Sequence, residues 1–250
     1  ETKSYQAYLG KHDSSGGNQL VFGSYLGWHL RLPGGSYTEY NKSDITKKHL
    51  VEAHITKSGS DLIADSYMNG TLIKQNYQTS GPIPSSGGKA WTVGQEWDSS
   101  QGDFFKGKMG EIIIVDGVLT ESEKQAVRDY LKSKWDLTDY DSDGDGFSDP
   151  VDATILAVSV TVPTDAPEIG NATLWLDATN TNSVIKDVNN KVIQWRDLSG
   201  NDNHGSQFGY GYYKPTLVSN GINNKASVEF DTSYIDFSTD LITQDSFRYF

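Results

Sequence analysis

The sequence predicts an all-β fold, an antiparallel sandwich or jelly roll that carries one short α-helix and an aspartate-rich linker. Three observations lead there. Between Tyr5 and Val115, short runs of alternating apolar and polar residues are separated by clusters of Gly, Ser, Asn and Asp, the pattern of half-buried strands joined by tight turns. The same pattern resumes after residue 171 and continues to Phe250. Between them lies a single segment with helical periodicity, followed by a run of aspartates.

Taken in order, the first stretch offers the strand candidates SYQAYLG, GWHLRL, HLVEAHITK, SDLIADSYM, TLIKQNY, AWTVGQEW and GEIIIVDG. Asn69-Gly70 joins two of them, and both residue types tolerate positive φ, so a two-residue hairpin turn is expected there. Strand spacing of this kind indicates a sandwich or jelly roll. The helix begins at a capping box, Thr120 with Glu123. Val127, Leu131 and Trp135 then recur at i, i+4 and i+8, with Tyr130 beside them, giving an apolar stripe expected to cover a sheet edge or end. After a polar stretch with Pro163 and Pro167, the strand candidates are ATLWLDA, KVIQWRDLSG, ASVEFD, YIDFS and SFRYF.

The aspartate run DSDGDGFSDPVD places carboxylates at positions 1, 3, 5, 9 and 12, with Gly146 at position 6. A calcium ion takes six to eight oxygen ligands at about 2.3 to 2.6 Å, which a chain supplies by alternating donors around a tight turn. Asp141, Asp143 and Asp145 would give side-chain oxygens, Phe147 its carbonyl, Asp149 a direct or water-mediated oxygen, and Asp152 the closing carboxylate. Gly146 permits the reversal. Pro150 and the alternating segment ATILAVSVTVP replace the helices that flank a sensor loop, so the ion is read as structural. The string resembles the calcium motifs of thrombospondin type-3 repeats and dockerins, but dockerins carry two copies with helices and one copy stands here.

Composition narrows the partners. The chain has 250 residues and a net charge of -12, and the six Asp from Asp139 to Asp152 supply half of that excess; such a chain repels nucleic acid. No apolar run approaches the roughly 20 residues of a membrane span. There are no cysteines, which rules out disulfides and thiolate metal sites. A calcium loop of this composition fills most easily where free calcium is millimolar, so an extracellular or cell-surface setting is expected, in a prokaryote given the absence of cysteine.

Two groups of segments carry a family resemblance. TLWLDATNTNSVIKDVNNKVIQWRDLSGNDNHGSQ followed by KASVEFDTSYIDFS is similar to the beginning of a laminin-G-like, concanavalin-type jelly roll, and GWHLRL, SYMNGTLI, WTVGQEW and FFKGKMGEIIIVDGVLTESEKQAVRDYLKSKW to its end. The halves stand in reversed order, so joining Phe250 to Glu1 would restore a normal domain. The resemblance implies a C-terminal half at 1–137, a calcium-binding linker with a possible strand at 138–166, and an N-terminal half at 167–250. Either the chain is one period of a tandem array cut within a domain, or it is permuted. The halves would then pair within the chain, or each would complete a neighbouring copy.

Catalytic patterns are incomplete. A retaining glucanase needs two carboxyl groups about 5 to 5.5 Å apart, and both partial matches, Glu96-Trp97-Asp98 and Glu229-Phe230-Asp231, lack the second glutamate. They read as surface or loop acids. His49 and His54 fall on opposite faces of an expected strand, and His12, His29 and His204 are isolated in the sequence. No catalytic residue is assigned and no enzyme is expected. For a glycan surface the candidates are Trp97, Asp98, Tyr210 and Tyr212, with Tyr213 adjacent, whose rings could stack on sugars. Asp197, Asn201, Asp202 and Asn203 form an Asx-rich turn with a second, weaker calcium pattern. Asn41, Asn69 and Asn171 head glycosylation sequons. Together these features predict a calcium-stabilised extracellular structural or adhesive repeat, a fibre or filament subunit whose partners are copies of itself or adjacent repeats. A carbohydrate-binding module of a larger secreted enzyme or adhesin is the alternative.

Overall fold

The structure is a computed structural model that describes residues 5–12, 19–24, 27–40, 47–83, 90–97, 101–137, 172–207, 213–238, 240–243 and 246–250. The first of the two β regions contains β1 (Gln6–His12), β2 (Gln19–Ser24), β3 (Gly27–Leu32), β4 (Gly35–Tyr40), β5 (Val51–Ser58), β6 (Asp61–Met68) and β7 (Thr71–Ser80). Then come β8 (Trp91–Val93), β9 (Glu96–Trp97), β10 (Gln101–Gly102), β11 (Gly107–Met109), β12 (Glu111–Asp116) and the helix α1 (Glu121–Trp135). The second region holds β13 (Ala172–Asp177), β14 (Val184–Lys186), β15 (Val192–Trp195), β16 (Gly205–Ser206), β17 (Thr216–Ile222), β18 (Lys225–Phe230), β19 (Ile235–Phe237) and β20 (Ser246–Tyr249). The fold is predominantly β, in antiparallel sheets.

Both large sheets contain strands from both regions, interleaved in the six-stranded sheet and in two adjoining blocks in the nine-stranded one. The six-stranded sheet runs β13-β12-β20-β5-β6-β7, and the nine-stranded sheet runs β14-β15-β16-β19-β8-β1-β2-β3-β4. β20 therefore lies between β12 and β5, pairing Ile114 with Tyr249 on one side and Phe247 with Ile55 on the other. β13 pairs with β12, β19 with β8, and β11 with β18. Five antiparallel pairings thus join residues before 138 to residues after 171, all within one chain.

The two large sheets face each other across one core. Leu9, Phe22, Trp28 and Trp91 come from the nine-stranded sheet, and Ile55, Ile112, Leu174 and Phe247 from the six-stranded sheet. Phe22 stacks on Tyr249 with ring centres 4.6 Å apart and meets Phe247 edge-on at 6.4 Å. Burial pushes the Tyr249 hydroxyl well above its ordinary pKa, because the phenolate would have no water to solvate it.

β12 explains its own unbroken apolar run. Ile112 and Ile114 face the shared core, whereas Ile113 and Val115 face a second cluster formed with Val127, Tyr130, Leu131 and Trp135 of α1. A strand buried on both faces has no reason to alternate. The helix stripe is buried as expected, but it covers the outer face of the six-stranded sheet over β12 rather than an edge or end. Its capping box is formed: the Thr120 hydroxyl accepts from the Glu123 amide, and Glu123 accepts from the Thr120 amide at 2.7 Å. Asp136 ends it in a left-handed conformation, which Asp adopts more readily than most residues.

Turn chemistry sets the hairpin registers. Asn69 and Gly70 have φ of 49° and 82° between the paired Met68 and Thr71, matching the two-residue turn expected from their types. The Asn69 side chain also accepts the Leu50 amide at 2.8 Å. A second turn of this kind, Asn223-Asn224, joins β17 to β18, and its Asn223 amide group donates to the Trp135 and Asp136 carbonyls at the end of α1. His49 precedes β5, so the expectation of two histidines on opposite faces of one strand does not hold.

Truncating Phe247 to Ala tests the shared core. Phe247 is fully buried, so the loss should be about 3 to 5 kcal/mol, read as a lowered urea midpoint with an unchanged slope.

Candidate functional site

The six expected calcium ligands, Asp141, Asp143, Asp145, Phe147, Asp149 and Asp152, lie outside the described residues, as do Asp98, Tyr210 and Tyr212. Trp97 is described only as backbone, in β9. What the structure does place is the frame from which these residues leave, together with two buried polar centres.

The first centre brackets the aspartate run. Glu111 opens β12, Lys134 and Trp135 close α1, and Trp175 and Asp177 end β13. The Glu111 side chain is 2 % exposed. Its Oε1 accepts the Trp175 indole N–H at 2.7 Å and the Tyr130 hydroxyl at 2.9 Å, and its Oε2 accepts the Trp135 indole N–H at 2.8 Å. Lys134 Nζ stands 2.9 Å from Glu111 Oε2 and 2.7 Å from Asp177 Oδ2, and it donates to the Tyr130 oxygen at 2.8 Å. The Asp177 Oδ1 accepts both the Thr179 amide, at 2.8 Å, and the Thr179 hydroxyl, at 2.7 Å. Burial holds the Glu111 carboxyl above its ordinary range despite the adjacent Lys134, and burial together with Glu111 pushes the Tyr130 hydroxyl far up. Gly110 makes room for this packing, since a Cβ there would sit 2.5 Å from the Trp135 ring.

The second centre lies on the outer face of the nine-stranded sheet. Gly94, at φ 90°, turns the chain after β8 where a Cβ would strike Phe230 at 2.4 Å. That turn lays residues 95–96 over Gly10, whose Cβ would come within 3.2 Å of the Gln95 carbonyl. Glu96 Oε1 then accepts Arg31 at 2.6 Å and lies 3.2 Å from His12 Nε2. Arg31 also donates to Gln19 at 2.6 Å, and its guanidinium lies 5.4 Å from the centre of the Tyr5 ring. Glu96 is 4 % exposed and His12 is fully buried. Glu96 is therefore not a surface or loop acid, and His12 and His29 are not isolated, because the β1, β2 and β3 pairings bring both to this face. Glu229 and Asp231 remain exposed, beside Lys108 and Lys106. Tyr213 packs on Tyr234 with ring centres 5.6 Å apart.

In the Asx-rich turn the side chains bond backbone groups, as Asx turns do. Asp197 Oδ1 accepts the Trp175 and Ser199 amides, and Oδ2 accepts the Asn203 amide and the Ser199 hydroxyl. Asn201 and Asn203 donate to the carbonyls of Ala172 and Thr173. The turn thereby covers the free edge of β13, an edge that would otherwise invite another strand. Among the described residues, no group of three or more His, Asp or Glu side chains is placed to hold a metal, and no helix is long and apolar enough to cross a membrane.

Sequence reasoning did not single out Glu111, Lys134 or Asp177. The available signal was that EIIIV, YLKSKW and TLWLDA each pair an ionisable residue with an apolar or aromatic run. No protein-family model, curated protein or solved structure matches the chain.

Acid should destabilise the fold through its histidines. Burial, followed by Arg31, lowers the His29 pKa to about 4, and burial lowers that of His54. Between pH 6.5 and 4 the unfolded His29 binds a proton that the folded form does not, so stability falls as pH drops, by up to about 1.4 kcal/mol per unit. Urea unfolding of His29→Gln across this window should show a shallower slope than the parent, and equal slopes would contradict the assignment.

Proposed function

We propose that the chain is a non-enzymatic, calcium-stabilised structural repeat of an extracellular assembly, built on a laminin-G-like jelly roll. The observation that carries the reading is the set of five pairings crossing the 138–171 segment. That segment leaves at the end of α1 and returns at β13, beside one another on the Glu111 centre. The donor set from Asp141 to Asp152 consists of oxygen ligands, with carboxylates that suit a hard cation. A calcium ion held there would shorten and stiffen the connection, and so restrict how the two β regions can separate.

The same pairings give a route to a fibre. A copy that contributes residues 172–250 to its neighbour makes the same hydrogen bonds and the same core, since exchange of identical elements needs no new interface. The calcium-bound segment would then set the distance between successive domains. Its expected partners are copies of this chain. Glu96 is engaged by Arg31, and no second carboxylate among the described residues joins it, so the outer-face centre is read as structural.

With millimolar calcium, EGTA should lower the melting temperature, because a ligand bound only to the folded state adds about 2.7 kcal/mol at a hundred times its Kd. Asp141→Ala should melt at the EGTA value with or without calcium. A parent melting temperature indifferent to EGTA would remove calcium from the account. Electron microscopy of native material is expected to show a periodic polymer, and dispersed monomers would remove the fibre.

A further inference from the structure

The Glu111, Lys134 and Asp177 side chains form more than an ion-pair network. The geometry points to an intramolecular amide bond between Lys134 Nζ and Asp177 Cγ, formed by the folded protein itself with Glu111 as proton carrier. Each group such a condensation needs is in place. Lys134 Nζ is 2.7 Å from Asp177 Oδ2, one bond from the carbon it would attack. Glu111 Oε2 is 2.9 Å from the same nitrogen, within reach of the protons to be removed. The other Asp177 oxygen, Oδ1, accepts the Thr179 amide and hydroxyl, two donors aimed at the atom on which negative charge develops. Tyr130, Trp135 and Trp175 wall the site, and the three reacting side chains are 2 %, 16 % and 11 % exposed. Scarce water favours condensation over hydrolysis.

The balance closes without any co-reactant. Glu111 takes one proton from the Lys134 ammonium and delivers it to Asp177 Oδ2, giving a free amine and a neutral carboxyl group. The amine attacks Cγ, with the negative charge on Oδ1 held by Thr179. Glu111 then moves a second proton from the nitrogen to the departing hydroxyl, which leaves as water. One C–N bond forms, one C–O bond breaks, both protons of the water come from Lys134, and Glu111 returns to its starting state. Nothing is oxidised or reduced. Within a single copy the bond would tie the last turn of α1 to the end of β13, whether or not calcium is bound between them; in a fibre built by exchange of residues 172–250 the same contact would join Lys134 of one copy to Asp177 of the next.

Intact mass spectrometry of the full chain under denaturing conditions reads this directly. The parent should weigh about 18 Da less than its sequence, the mass of the water lost when the lysine amine acylates. Digestion should yield a branched peptide joining Lys134 to Asp177. Lys134→Arg should return to the full sequence mass. Glu111→Gln, checked for folding by near-ultraviolet circular dichroism, should fold yet stay at full mass or lose water only slowly. A folded parent at full sequence mass would overturn the proposal. So would a water loss mapped to an aspartate succinimide elsewhere, or a Glu111→Gln chain that forms the bond at the parent rate.

Discussion

Insertion of β20 between β12 and β5 is the constraint on which the rest of the structure depends. Without β20, the six-stranded sheet would separate into two pieces, β13-β12 and β5-β6-β7. Each would expose a row of unpaired amides and carbonyls. Phe247 and Tyr249, which meet Phe22 of the opposing sheet, would leave the core together. Because β20 follows the aspartate run in sequence while β5 and β12 precede it, the chain cannot complete its core until both regions are present. The 138–171 segment therefore connects two regions of one closed fold.

Buried charge fixes α1 on the six-stranded sheet. The Glu111 carboxylate is met by two indoles, a phenol and Lys134. Glu52, on β5, is fully buried and accepts both of its Arg128 contacts, at 2.9 and 3.1 Å, from α1. Such groups gain little net stability over an apolar packing, because desolvation offsets their attraction. Their effect is on specificity: α1 can sit on β12 and β5 in one register only, since any slip leaves a carboxylate buried and unpaired. That register in turn sets Lys134 against Asp177.

Much of the fold was legible in the chain. The capping box at Thr120, the turn at Asn69-Gly70 and the stripe Val127, Tyr130, Leu131 and Trp135 all act as their residue types dictate, because their causes are local. Among the described strands, β2, β4, β10, β11, β14, β16 and β17 are absent from the expected set. β2 is buried on both sides and does not alternate, whereas β17 is mostly half-buried or exposed and lacks a strong apolar face. The buried centres were hidden for a different reason. Glu96 looks like a loop acid until Gly94 folds it over Gly10, and His12 meets it only through the tertiary approach of β9 to β1. Glu111 and Asp177 lie 66 positions apart and are brought opposite each other by one β12-β13 pairing, which nothing in their immediate neighbourhoods announces.

The central claim is that residues before 138 and after 171 share one core. Size-exclusion chromatography of a nicked chain tests it most directly: a specific protease site placed between Asp165 and Gly170, in the Lys134→Arg background so that no covalent link bears on the outcome, is cut under native conditions. The account predicts that the two fragments co-elute and keep the near-ultraviolet spectrum of the uncut protein until denaturant is added. Separation of the fragments in native buffer, with either retaining its own tertiary spectrum, would contradict it.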